Sequence, residues 1–149
     1  MSRSTKSSTG RSTFVDTSGF YSLLVARDDT HERASRILAA ARGRRASFIT
    51  TDYVLDETVT LLAARGHRHL VDPFLHSTLR SAACRVEWTD ADRFAKTAIF
   101  FSKHTDHAWS FTDCLSFVVM KDLRLRDALT KDIHFEQAGF LALLRRETD

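Results

Sequence analysis

Short apolar segments alternate with longer segments of helical periodicity along most of the chain. The short segments have the length and the β-branched or aromatic content that are typical of buried strands. They are residues 13–16, 47–50, 84–88, 128–130 and 140–144. The pattern therefore predicts four to five short strands.

The segments between these strands repeat their apolar positions at the spacing of one helix face. They are residues 20–25, 30–42, 52–65, 67–79, 90–101 and 110–122, with room for one or two further turns in 132–139. Residues 110–122 are apolar on most sides, which predicts a central helix. Pro73 fits its helix only if that helix begins later than residue 67, because proline is tolerated in the first turn.

Alternating short strands and helices predict an α/β sandwich with a mainly parallel sheet. A chain of 149 residues is long enough for one domain with a substantial core. Residues 1–12 are rich in serine and threonine and predict a flexible tail, whereas residues 13–149 contain no linker and predict a single domain.

Composition indicates an ordinary globular protein, with 43% hydrophobic and 28% charged residues. No apolar run approaches the roughly 18 residues of a membrane span, and the N-terminal segment lacks the apolar centre of a secretory signal. Cys84 and Cys114 lie far apart without a metal-binding spacing, which favours free thiols in a reducing compartment. We therefore expect a soluble, cytoplasmic protein.

The formal charge of +3 comes entirely from Arg3, Lys6 and Arg11 in the tail, since the rest of the chain has 19 basic and 19 acidic residues. A nearly neutral body can attract a polyanion only through local patches or a metal ion. Residues 42–45 (Arg-Gly-Arg-Arg) and 65–69 (Arg-Gly-His-Arg-His) are the two basic segments that could contact phosphates. Solvated loops are the simpler interpretation of both.

Four acidic residues lie where a parallel sheet would gather them: Asp16 ends the first strand, Glu57 lies one turn into a helix, Asp113 begins the central helix, and Asp132 follows a late strand. Ligands of such sheets bind beyond the carboxyl ends of the strands. Carboxylates that meet in a partly buried cleft repel one another unless a cation compensates them, and Mg²⁺ prefers oxygen ligands.

Each acid also has a structural interpretation. Asp16 and Asp132 could cap the helices that follow them, and Asp113 lies three residues after Ser110 in the pattern of a capping box. Helical periodicity does not distinguish Glu57 from its neighbour Asp56, because they lie on opposite flanks of the apolar face. The residues alone leave these alternatives open.

Four strings of the sequence resemble the four acidic motifs of PIN domains, and they occur in the order of that family. They are Phe14-Val15-Asp16-Thr17-Ser18, Val54-Leu55-Asp56-Glu57-Thr58, Ser110-Phe111-Thr112-Asp113-Cys114 and Leu129-Thr130-Lys131-Asp132-Ile133-His134-Phe135. The resemblance extends from Thr13 to the C-terminus and includes Ala138-Gly139-Phe140, which is similar to the closing strand of the family.

The resemblance implies a PIN-like three-layer α/β/α sandwich and a Mg²⁺ or Mn²⁺ site. It implies metal-binding roles for Asp16, Asp113 and Asp132, and a catalytic role for these three together with Glu57. Glu57 is preferred over Asp56 on this ground only. Two hydroxyls beside these acids are implied to orient water or phosphate, those of Thr17 and Thr112. His134 falls within the fourth motif and is interpreted as a packing residue.

The resemblance further implies a metal-dependent endoribonuclease that hydrolyses RNA phosphodiester bonds. A stand-alone domain of this length is similar to VapC-type toxins of type II toxin–antitoxin pairs, which are cytoplasmic, form homodimers and are silenced by a cognate antitoxin. Three alternatives remain at this point: a housekeeping PIN ribonuclease, a non-catalytic PIN-like RNA-binding module, and a doubly wound phosphatase.

Overall fold

The structure is a computed structural model that describes residues 12–145. The tail predicted for residues 1–12 therefore lies outside the described residues except for Ser12, whose hydroxyl shares a hydrogen bond with that of Ser47 (2.9 Å). Five strands form one sheet: β1 (Thr13–Val15), β2 (Phe48–Thr51), β3 (Cys84–Glu87), β4 (Asp127–Leu129) and β5 (Leu141–Ala142). Their order is β3-β2-β1-β4-β5, and every pairing is parallel, which confirms the predicted α/β fold.

Helices fill the connections between the strands. They are α1 (Thr17–Leu24), α2 (His31–Gly43), α3 (Asp52–Ala64), α4 (Val71–Arg80), α5 (Ala91–Lys103), α6 (Phe111–Asp122) and α7 (Ile133–Gln137). The chain runs outward from β1 to β3 and then returns to β4 and β5 on the other side of β1. Because parallel crossovers are right-handed, α1–α4 cover one face of the sheet and α5–α7 the other, as in a three-layer sandwich.

The core is densest around the two central strands and α6. Phe14, Val15, Ala128 and Leu129 are buried on β1 and β4, and every residue from 113 to 120 in α6 is buried. This agrees with the prediction of a central helix. Cys84 and Cys114 are both free thiols, as predicted.

Most element boundaries lie within two residues of the prediction, but α1 begins at Thr17, three residues before the predicted start, and α4 and β5 also differ. A 3₁₀ turn (Arg68–Leu70) occupies the start of the segment predicted as one helix from residue 67, and α4 begins only at Val71. Pro73 therefore falls in the first turn of α4, where its missing N–H removes no helical hydrogen bond. The last strand was predicted over 140–144 but is confined to β5, because the chain turns at residues 143–145.

Helix α1 packs unusually close to β4. A Cβ atom built on Gly19 would lie 2.1 Å from the carbonyl oxygen of Leu129, so that no larger residue fits between the two elements without a shift. Next to this contact, the backbone N–H of Asp16 donates to the same carbonyl (3.2 Å). The close approach thus fixes the carboxyl end of β1 against that of β4. In the part of the chain that the structure describes, no helix is long and apolar enough to cross a membrane.

Candidate active site

A cleft of about 500 Å³ opens at the carboxyl ends of the strands. It lies where the direction of the chain across the sheet reverses between β1 and β4, which is the usual ligand position in open parallel sheets. All four acids that the sequence singled out line this cleft: Asp16, Glu57, Asp113 and Asp132. Residues that are up to 116 positions apart in the chain therefore meet at one edge of the sheet.

Asp16 is the most buried acid of the cleft, with 5% of its surface exposed. It occupies the N-cap position of α1, but its side chain makes no capping hydrogen bond and instead accepts one from the hydroxyl of Thr130 (2.9 Å). Burial raises its pKa to about 7, and the nearby charges of Asp113 and Glu57 add to this effect. Its surroundings therefore do not support the interpretation of Asp16 as a helix cap.

Asp113 combines a capping role with a place in the cleft. It forms a capping box with Ser110, in which the backbone N–H of Asp113 donates to the serine hydroxyl (3.0 Å) and the backbone N–H of Ser110 donates to Oδ2 (3.2 Å). The same Oδ2 lies 3.0 Å from Nδ1 of His134. Burial raises the pKa of Asp113, Asp132 raises it further, and the hydrogen bond from His134 opposes the shift.

Asp132 lies beside Asp113 and also caps a helix. Its carboxylate accepts a hydrogen bond from the backbone N–H of His134 (2.9 Å) at the start of α7, and its own N–H donates to Thr130 (3.0 Å). Ligand atoms of Asp113, Asp132 and His134 all lie within 4.8 Å of one another, a grouping that could hold a metal ion.

His134 is therefore more than the packing residue that the sequence indicated, because it contributes a nitrogen to this cluster. In the sequence, only its place in the fourth motif pointed to His134. Its contact with Asp113 depends on how α7 packs against α6.

Glu57 projects into the cleft from α3 and is held by Thr17, whose hydroxyl donates to Oε1 (2.6 Å). Asp56 and Glu57 are both exposed, but only Glu57 lines the cleft, so the geometry favours Glu57. The hydroxyl of Thr17 is thus engaged with an acid in this structure. Thr112 does not line the cleft, and its backbone carbonyl accepts a hydrogen bond from Ser116 within α6 (3.1 Å); the role implied for its hydroxyl stays a prediction.

The donor groups of the cleft fit a hard divalent cation. The four acids named above and the imidazole of His134 line the cleft, and side chains of these types can bind Mg²⁺ or Mn²⁺, with Mg²⁺ favouring the oxygens. Within residues 12–145, no lysine, arginine or histidine forms an ion pair with the buried Asp16. A carboxylate that is buried without a positive partner is the kind of group that a bound cation would compensate.

One wall of the cleft is held by an ion-pair cluster around Lys131, which the sequence did not reveal. The Lys131 ammonium lies 3.0 Å from Asp28 and 2.8 Å from Asp29. All three residues lie in loops. Although burial opposes the effect, hydrogen bonds from Lys131, Thr30 and Ser22 lower the pKa of Asp28 to about 2. Lys131 is therefore occupied by carboxylates of the protein itself.

Comparison with known proteins agrees with this geometry. Residues 13–141 match the model of the PIN domain family. The chain is 35% identical over 130 residues to the 23S rRNA-specific endonuclease VapC20 of Mycobacterium tuberculosis strain H37Rv, covering 86% of this chain and 95% of that protein. It is 27% identical over 114 residues to a VapC ribonuclease of Archaeoglobus fulgidus, covering 75% and 72% of the two chains.

A solved structure gives the same result. The crystal structure of M. tuberculosis VapC20, described as a sarcin-ricin loop cleaving toxin, superposes with a TM-score of 0.75 at 32% identity and covers 86% of this chain and 95% of that one. The doubly wound phosphatase alternative is excluded by these matches. The chain belongs to the PIN domain family and is similar to its VapC-type ribonucleases.

Proposed function

We propose that this protein is a Mg²⁺- or Mn²⁺-dependent endoribonuclease that hydrolyses phosphodiester bonds of RNA. One observation carries the proposal: four carboxylates from four distant parts of the chain line a single cleft at the carboxyl edge of the sheet. The names of the relatives, an rRNA endonuclease and a ribonuclease, support the choice of RNA as substrate. A non-catalytic binding module has no need for such a concentration of negative charge against a polyanion.

The proposal assigns metal binding to Asp16, Asp113 and Asp132, with His134 as an additional ligand or partner. These residues would hold the Mg²⁺ or Mn²⁺ ion, which would supply Lewis-acid chemistry: activation of water, polarisation of the scissile phosphate and compensation of the charge that develops during in-line displacement. Thr17 holds one oxygen of Glu57 at 2.6 Å, so that the other oxygen can accept a hydrogen bond from the attacking water.

The proposal also covers the biological role and the protein partners. By likeness to the VapC-type relatives, we infer that the protein is the toxin of a type II pair and that a cognate antitoxin inhibits it. We further infer a homodimer. Support for an interface comes from the exposed aromatic rings of Phe94 and Phe101 on α5, both of which contact Phe111 (ring centroids 5.1 and 5.7 Å).

The test is cleavage of RNA by purified protein in Mg²⁺, Mn²⁺ or EDTA, with 23S rRNA as one substrate. We expect cleavage with either metal and none in EDTA. Asp16→Asn, Asp113→Asn and Glu57→Gln should each lower the rate about 100-fold or more, because each removes charge that the transition state requires. Asp56→Asn is the matched control, since Asp56 adjoins Glu57 in sequence but does not line the cleft.

All variants should retain the circular dichroism spectrum of the wild type. Metal-independent cleavage would contradict the proposed cofactor. Full activity of Asp16→Asn would show that the buried carboxylate is not part of the catalytic site. Equal losses in Asp56→Asn and Glu57→Gln would show that the assay reports folding and not chemistry.

A further inference from the structure

A basic side chain lines the cleft besides Glu57: that of Arg65, the C-cap residue directly after α3. Glu57, Leu61 and Arg65 follow one another at intervals of four residues, which places them on one face of the helix, and all three line the cleft. At a rise of about 1.5 Å per residue, Arg65 lies about 12 Å from Glu57 along the helix axis. Arg65 therefore lies beside the acidic centre but outside it.

The charges of the cleft leave Arg65 available to bind an anion. Five carboxylates line the cleft, against two side chains with a fixed positive charge, Arg65 and Lys131. Lys131 is bound by Asp28 and Asp29. Among the residues that the structure describes, Arg65 forms no ion pair. It is thus the permanent cation of the cleft whose charge is not already matched by a carboxylate.

An aromatic ring holds the Arg65 guanidinium in place. Its central carbon lies 5.1 Å from the centroid of Tyr21, a ring that is 9% exposed and itself lines the cleft. Stacking on an aromatic face orients a guanidinium and leaves its N–H groups at the edge free to donate. Such a planar set of donors matches the oxygens of a phosphate group.

We propose that Arg65, stacked on Tyr21, binds a backbone phosphate of the RNA strand that flanks the phosphate being cut. The inference rests on the proposed function and adds to it the path of the strand, which runs from the acidic centre along α3 toward the end of that helix. A strand on this path meets a positive group beside the negatively charged centre. This group offsets part of the repulsion between the RNA phosphates and the carboxylates.

The sequence has two basic segments, and residues 42–45 lie elsewhere in the fold than residues 65–69, which include Arg65. Segment 42–45 comprises the last two residues of α2 and the two residues after it, which precede β2, and it therefore lies at the amino edge of the parallel sheet, opposite the cleft. The two segments have similar compositions, so the fold and not the sequence distinguishes them. Arg44, which is exposed and precedes β2, is accordingly a matched control.

The experiment compares wild type, Arg65→Ala, Arg65→Lys and Arg44→Ala at several salt concentrations. Steady-state cleavage gives kcat and KM, and fluorescence anisotropy of a labelled RNA oligonucleotide in Ca²⁺ gives the binding constant. For Arg65→Ala we expect KM and Kd to rise about 5- to 10-fold while kcat changes less than about twofold, which is the signature of lost uniform binding. The slope of log K against log salt should fall by about 0.7, the value for one phosphate of a single strand.

Arg65→Lys should recover the salt slope but only part of the affinity, because lysine keeps the charge and loses the stacked planar fork. Arg44→Ala should match wild type in every measurement. Tyr21→Leu should raise KM, whereas Tyr21→Phe, which keeps the aromatic ring, should have the KM of the wild type. Because Arg65 is exposed, its variants should unfold within about 2 °C of wild type.

Wild-type KM, Kd and salt slope in Arg65→Ala would overturn the inference while leaving the nuclease proposal intact. The opposite result is equally distinct: a protein that cuts no RNA but whose RNA binding depends on Arg65 would overturn the proposed function and support only the phosphate contact of Arg65. An equal loss in Arg44→Ala would reduce the effect to overall charge and would overturn the assignment to the cleft.

Discussion

At the residue scale, the acids of the cleft show that capping and chemistry do not exclude each other. Asp113 completes a capping box through Oδ2 and contacts His134 with the same oxygen, which leaves Oδ1 to accept further contacts. Asp132 likewise caps α7 and lines the cleft. Local patterns alone could therefore not decide between the two interpretations, because both describe the same side chains.

Sequence reasoning identified the residues at strand ends and helix starts but missed the contacts between loops. Asp16 and Asp113 were recognisable because their position relative to a strand or helix fixes the edge of the sheet that they reach. The parts played by His134 and Lys131 depend on how α7 approaches α6 and how one loop meets another. No spacing along the chain encodes those distances.

One prediction at this scale concerns acid stability and Asp28. Its folded pKa of about 2 lies below the ordinary value of 3.8, so its contribution to folding is complete above about pH 4 and is lost as the pH falls toward 2. Asp28→Asn should therefore lower the free energy of unfolding by roughly 1–2 kcal/mol at pH 7 and by much less near pH 2.5. Urea denaturation at both pH values measures this difference.

The control for Asp28 is its neighbour. Asp29 also contacts Lys131 but has 85% of its side chain exposed, so that Asp29→Asn should change stability by no more than a few tenths of a kcal/mol. A pH-independent loss in Asp28→Asn would assign the effect to hydrogen bonds rather than to charge.

At the element scale, the pattern of apolar positions predicted the five strands and seven α-helices of residues 12–145, because most of these elements bury apolar side chains against the core. Caps then determined where helices begin, as the hydroxyl of Thr51 shows by accepting the N–H of Val54 (3.1 Å). The 3₁₀ turn at Arg68–Leu70 was not predictable, since the apolar spacing continues through it without change. Pro73 indicated the later start of α4 but not the form of the turn before it.

The contact between α1 and β4 leads to a prediction for Gly19. Gly19→Ala should destabilise the fold by roughly 1–3 kcal/mol, because the added methyl group collides with the backbone of Leu129, despite the better helix propensity of alanine. It should also slow cleavage, since the same contact aligns Asp16 with Thr130. Thermal unfolding and the RNA assay measure the two effects.

Gly43 provides the comparison for this variant. It lies at the end of α2, and a Cβ atom there would meet nothing within 4 Å. Gly43→Ala should therefore be neutral or stabilising by up to about 1 kcal/mol. Equal destabilisation by both substitutions would mean that close packing is not the cause.

At the scale of the whole molecule, the parallel sheet and the gathering of acids at one edge were predictable, whereas the strand order was not. The alternation of strands and helices implies parallel pairing, because each crossover returns the chain to the same edge. The order β3-β2-β1-β4-β5 depends on the reversal after β3, for which the sequence has no marker. That reversal is what places β1 beside β4 and Asp16 beside Thr130.

The proposed homodimer gives a prediction at the same scale. Phe94 is 48% exposed and shares an aromatic cluster with Phe101 and Phe111, so that a charge at this position would be buried without a partner in an interface. Phe94→Glu should convert a dimer of about twice 16.9 kDa into a monomer. Sedimentation equilibrium gives the mass.

Leu79→Glu is the control, because Leu79 is equally exposed but lies on α4 on the other face of the sheet. Dissociation by Leu79→Glu and not by Phe94→Glu would move the interface to that face. A monomeric wild type would exclude the homodimer.

The distribution of the four acids along the chain has a consequence for synthesis. Asp16 is made early and Asp132 late, and the two meet only after β4 has been added beside β1. On the proposed function, a nascent polypeptide on the ribosome, or a product truncated before Asp132, lacks a complete catalytic centre. On the same proposal, nuclease activity begins only after Asp132 has been made, 116 residues later than Asp16.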